Sequence, residues 1–175
     1  MFFYLGASQS FTISTQYFAC AYAQTGINVD QIYSYEYVKH DPVMWWNSVP
    51  SPFTKKLHFI NVGVGADVKS EYNPVHLIKS LFEPNDFVAF KLDVDTSDIE
   101  IPIFLEILED PSVHSLIDEF IFELHYNCPV MSKWWGHVVL KANSTKSHAL
   151  SFNRVTALKM FSDLRHKGVR AHFWV

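Results

Sequence analysis

The chain has 175 residues, 49% of them hydrophobic and 18% charged, with 14 Lys and Arg against 18 Asp and Glu for a formal charge of −4. A chain of this length closes a full hydrophobic core without disulfides or a structural metal, and its apolar content excludes a disordered tail. No run of more than two Lys or Arg occurs, which argues against a surface that tracks nucleic-acid phosphates.

The elements alternate along the chain. Phe2 to Leu5 is a short apolar run that ends in Gly6-Ala7-Ser8, and Thr12 to Gln24 has helical apolar spacing closed by Gly26. Gln31 to Tyr37 is rich in Tyr and Ile, and Leu57 to Val64 alternates apolar residues with His58 and Asn61 before Gly63 and Gly65. Pro74 marks the start of a helix that His76 to Phe82 continues until Glu83-Pro84-Asn85 breaks it. Phe87 to Leu92 is the strongest strand and runs into Asp93-Val94-Asp95; a helix over Ile99 to Leu108 follows, stopped at Asp110-Pro111. Phe120-Ile121-Phe122 leads into Glu123-Leu124-His125. Leu150 to Lys167 is a long helix closed by Gly168, and Val169 to Val175 is a last strand. Tyr126 to Lys146 is the longest stretch without a period, with one candidate strand at His137 to Leu140. Trp45-Trp46 and Trp134-Trp135 read as loop residues that cover something.

Near-continuous apolar strands alternating with helices imply a single α/β domain over residues 1–175, doubly wound, with a mostly parallel sheet and helices on both faces. The aromatic content, 15 Phe and 8 Tyr, suits a thick core, a stacking surface or an apolar patch through which the chain forms homo- or hetero-oligomers. Two cysteines, Cys20 and Cys128, form no C-x-x-C pair, which points to a reducing, cytoplasmic setting. The apolar opening Met1 to Leu5 is too short for a signal peptide or a membrane span.

Ligands of open parallel sheets bind beyond the carboxyl ends of the strands. Here those ends carry Gly6-Ala7-Ser8, Glu36, Gly63 and Gly65, Asp93 and Asp95, and Glu123 and His125. A glycine after the first strand admits a ligand close to the backbone, and an acid ending the second can hold ribose hydroxyls. The first loop lacks G-x-G-x-x-G, so a cofactor without phosphates, S-adenosylmethionine above all, suits it better than a dinucleotide. Lys91, Asp93 and Asp95 alternate onto one face, as do Glu123 and His125. Such a patch must be internally paired, loaded with metal or open to a ligand. A Lys91–Glu123 ion pair accounts for part of it. The functional readings are a general base among Asp93, Asp95 and His125, or a divalent cation held by the carboxylates with His125 assisting. Arg170 and His172 alternate on the last strand and face either the same crevice or solvent. Ser8 and Ser10 have no G-x-S-x-G around them, and Cys128 reads as a plain loop cysteine.

The blocks Phe3-Tyr4-Leu5-Gly6-Ala7-Ser8, Ile32-Tyr33-Ser34-Tyr35-Glu36, Phe87 to Asp95, Asp118 to His125 and Leu164 to Val175 together resemble the FkbM-like branch of S-adenosylmethionine-dependent methyltransferases. Its most specific signatures are matched by Lys91 to Thr96 and Asp118 to His125. The resemblance implies a Rossmann-like methyltransferase fold, with Gly6, Ala7 and Ser8 under the cofactor's amino-acid end, Glu36 on its ribose and Asp93 near its sulfonium. It further implies O-methylation of a small-molecule or glycan hydroxyl, with Asp95 or His125 as base. Tyr4, two residues before Gly6, stands where that class usually carries an acid, and the first loop has one Gly where several are usual. Two other readings stay open: a glycosyltransferase with a metal on Asp93-Val94-Asp95, and a methyltransferase-like subunit of an assembly.

Overall fold

The computed structural model describes residues 1–6, 13–125 and 154–174. Six strands make one all-parallel sheet: β1 (Phe2–Leu5), β2 (Ile32–Tyr35), β3 (Leu57–Ile60), β4 (Ala89–Leu92), β5 (Glu119–Phe122) and β6 (Arg170–Phe173). Their order is β3-β2-β1-β4-β5-β6, so the direction of winding reverses between β1 and β4. Among the described residues the α-helices are α1 (Ile13–Gln24), α2 (Pro42–Asn47), α3 (Pro74–Leu81), α4 (Ser97–Glu109), α5 (Pro111–His114) and α6 (Arg154–His166).

Three helix starts share one chemistry. Asp41-Pro42, Asn73-Pro74 and Asp110-Pro111 each place an Asx side chain at the N-cap and proline at the first helical position, where its missing N–H costs nothing. The Asp41, Asn73 and Asp110 oxygens accept from the N–H groups of Met44, Val75 and Ser112 at 2.9, 2.8 and 2.8 Å. Asp110-Pro111 therefore ends α4 and at once begins α5. The same cap corrects the reading of Trp45-Trp46 as a covering loop. Both lie in α2; Trp45 is buried and stacks on Phe59 at 3.5 Å between ring centroids, while Trp46 is partly exposed. The second pair, Trp134-Trp135, and the candidate strand at His137 lie outside the described residues.

Both faces of the sheet are covered, which is why the strands read as continuous apolar runs. On one face Leu5, Phe90, Leu92, Phe120 and Phe122 pack against α3 to α6 through Ile78, Phe104, Val113 and Phe161. Much of the phenylalanine is spent there, since Phe90, Phe120, Phe104, Phe122, Phe161 and Phe173 form an unbroken chain of ring contacts. On the other face Phe2, Tyr4, Ile32, Leu57 and Ile121 meet Phe18 and Tyr22 of α1 and Trp45 of α2. No helix among the described residues is long and apolar enough to cross a membrane.

Candidate functional site at the switch point

The strand ends converge as parallel winding requires. Past β1, β2 and β5 the ladder runs one bond further: Gly6 N donates to Tyr35 O at 3.1 Å, Glu36 N to Ile60 O at 3.1 Å and Glu123 N to Leu92 O at 3.2 Å. Gly6, Glu36 and Glu123 are thereby held on one rim. They line a cavity of about 990 Å³ together with Tyr4, Tyr37, Gly63, Asp93 and Asp95. It opens beside β1 and β4, where neighbouring crossovers leave on opposite faces and a crevice is unavoidable.

Gly6 is glycine for two reasons. Its φ is +90°, and a Cβ there would lie 1.7 Å from the Asp93 carbonyl oxygen. The close approach that the sequence predicts for a ligand is thus made by the loop after β4. Ala7 and Ser8 lie outside the described residues.

Glu36 is mostly buried, and its Oε1 accepts from Val38 N at 2.7 Å. The loop that carries it is pinned by Asn61, whose Nδ2 donates to the carbonyls of Glu36 and Val38 at 2.8 and 2.6 Å while its Oδ1 accepts from His40 N at 2.9 Å. Sequence reasoning saw Asn61 only as the polar member of an alternating strand. Tyr37 folds over Gly63, where a Cβ would meet its ring at 2.7 Å, so this glycine makes room for a wall of the cavity.

Lys91 is fully buried in the central strand, and its ammonium pairs with the Asp93 carboxylate. The partner is therefore Asp93 and not the expected Glu123. The rings of Tyr4 and Trp174 flank the ammonium at 4.7 and 5.2 Å, a π-lined pocket for a cation withdrawn from water. Tyr4 thus serves Lys91.

Strand β4 ends at Leu92, so strand alternation does not carry on to Asp95 as the sequence suggests. Asp95 has φ +54°, a left-handed conformation that Asp tolerates better than most residues. Its carboxylate lies 3.8 Å from His125 Nε2, and that of Glu123 lies 3.4 Å from the same atom. One donor atom from each of Asp95, Glu123 and His125 falls within 4.8 Å of the others. Asp93 and Asp95 thereby serve different partners.

Burial raises the Asp93 carboxyl to about 6; Lys91 pulls it down, and the hydrogen bond and charge of Glu123 push it up. The His125 hydrogen bond holds Glu123 below the usual carboxylate range in spite of burial. Burial depresses His125, but Glu123, Glu100 and Asp95 outweigh it and its pKa is raised. Asp93 is consequently more basic than a carboxylate in water.

Besides Asn61, a second residue at the site leaves little trace in the sequence. Glu100, in the first turns of α4, is 1% exposed and its Oε1 accepts from Val94 N at 2.9 Å, tying down the Asp93–Asp95 loop. Burial raises it to about 7, against the Val94 bond and His125. The signal was an acid within the apolar run Ile99 to Leu108. His172, by contrast, is half exposed, pairs with Glu119 at 2.9 Å and does not line the cavity.

Compared with protein-family models, with curated proteins and with solved structures, the chain matches none. Its class rests on the architecture alone: a Rossmann-like α/β domain with its cavity at the switch point.

Proposed function

We propose that the switch-point cavity binds S-adenosylmethionine and that the chain is a methyltransferase acting on a hydroxyl of a small molecule or glycan. The observation that carries this reading is Glu36, held rigidly at the end of β2 on the rim of a 990 Å³ cavity that also exposes Gly6 and Asp93. An acid at that place suits a ribose diol, and the sequence after β1 carries no G-x-G-x-x-G for a pyrophosphate. The residue types fit the group: a carboxylate on the sugar side, aromatic walls from Tyr35 and Tyr37, and carboxylates where a sulfonium would lie.

The cofactor supplies an already activated methyl group for in-line displacement by the acceptor oxygen. The chain's own task is to position that oxygen and to take its proton. Asp93 suits the second role, since it lines the cavity and burial makes it more basic than a carboxylate in water. Lys91 and Glu100 hold the Asp93 side chain and its loop in place.

Calorimetric titration with S-adenosylhomocysteine tests the reading. One site per chain is expected, weakened at least tenfold (about 1.4 kcal/mol) in Glu36→Ala. Absence of binding to the unaltered protein, or equal affinity in Glu36→Ala, would overturn it.

A further inference from the structure

We infer that Asp95, Glu123 and His125 form a binding site for one divalent first-row cation, Mn²⁺ or Zn²⁺. Three donors of two kinds converge from two loops, Asp95 after β4 and Glu123 and His125 after β5. The separations from His125 Nε2, 3.4 Å to Glu123 Oε1 and 3.8 Å to Asp95 Oδ1, lie within a few tenths of an ångström of those between neighbouring ligands around one ion, and all three donors lie within 4.8 Å of one another. A tetrahedral shell with metal–ligand distances of about 2.1 Å has edges of about 3.4 Å.

The chemistry of the set selects the ion. Two carboxylates and one imidazole make a mixed oxygen and nitrogen set, harder than a thiolate site and softer than the all-oxygen shells of Mg²⁺ and Ca²⁺. Burial divides the labour. His125 has a side-chain exposure of 1% and is fixed by its surroundings, whereas Asp95 is 67% exposed and leaves the ion reachable.

Asp95 and Glu123 both line the cavity, so the ion's remaining positions face that space. Water or an oxygen of a bound small molecule completes the shell, and a coordinated hydroxyl loses its proton more readily. This last consequence rests on the methyltransferase reading; metal binding itself does not.

The experiment is calorimetric titration of the EDTA-treated full chain with MnCl₂ and with ZnCl₂, without cofactor. One ion per chain is expected for at least one of them. Asp95→Asn, at an exposed position where unfolding is no concern, should weaken it at least tenfold, and so should His125→Gln, with circular dichroism confirming the fold. Absence of binding, or binding equal in Asp95→Asn and the parent protein, overturns the site. Titrating the EDTA-treated protein with S-adenosylhomocysteine separates the two proposals, because a cofactor site and a metal site can each fail alone.

Discussion

Glu100 gives the sharpest test of how the site is built. It is buried beneath the Asp93–Asp95 loop, accepts from Val94 N at 2.9 Å, and has its carboxyl raised from 4.5 to about 7. Burial drives the rise, the nearby Asp93 and Asp95 charges add to it, and His125 opposes it. A folded pKa above the unfolded one means that the native state binds the extra proton. The stabilisation is fully present below about pH 4.5 and is lost as pH rises through 7. A rise from 4.5 to about 7 corresponds to roughly 3 kcal/mol between those limits. Glu100→Gln keeps an oxygen for Val94 N and removes the ionisation. The variant should match the parent near pH 4.5 and exceed its stability by roughly 3 kcal/mol at pH 8.5. Urea denaturation at the two pH values reads this directly, as a midpoint shift of about 1–2 M present only at the higher pH. A difference between variant and parent that does not change with pH would refute the reasoning. So would a variant less stable than the parent at pH 8.5, since it would mean that the ionised carboxylate is the form the fold prefers.

Two further substitutions probe the frame of the site. Gly6→Ala meets both a φ of +90° and the Asp93 carbonyl, whereas Gly26→Ala meets φ +84° with nothing within 4 Å. The second should cost about 1 kcal/mol and the first at least twice that, by chemical denaturation; equal losses would show that the Asp93 contact is without consequence. Asn73→Ala removes both the α3 cap and the Nδ2 bond to Glu106 at 2.8 Å, and should cost about 2 kcal/mol in the same assay. A loss under about 0.5 kcal/mol would place the start of α3 under the control of packing instead of its cap.

The alternation of apolar strands and helices was readable because a parallel sheet buried on both faces leaves no polar stripe, and every strand named from the sequence within the described residues lies in the sheet. The strand-end polar residues were readable for the same reason: in so apolar a chain, a charge at the end of a buried strand has few places to go. Short helices were harder. The cap that begins α2 at Asp41-Pro42 repeats the one that begins α3, yet six residues carry too little period to announce a helix, and Trp45 reads as a loop residue although it belongs to the core. Pairings were readable only within a segment. Lys91 with Asp93 and Glu123 with His125 are neighbours that alternation puts on one face, whereas the left-handed backbone at Asp95 and its approach to His125 across two loops leave no such trace.

By itself the sequence determined the class of fold and the rim on which polar groups gather, since hydrophobic period and strand-terminal chemistry are local properties of the chain. The tertiary structure alone decided which of those groups touch. Glu100 under the loop, Asn61 behind Glu36, the Asp93 carbonyl against Gly6, and the convergence of Asp95, Glu123 and His125 all depend on the order β3-β2-β1-β4-β5-β6 and on loop backbone at single residues such as Asp95. Contacts between residues distant in sequence are set when the layers pack, and no periodicity within one segment records them.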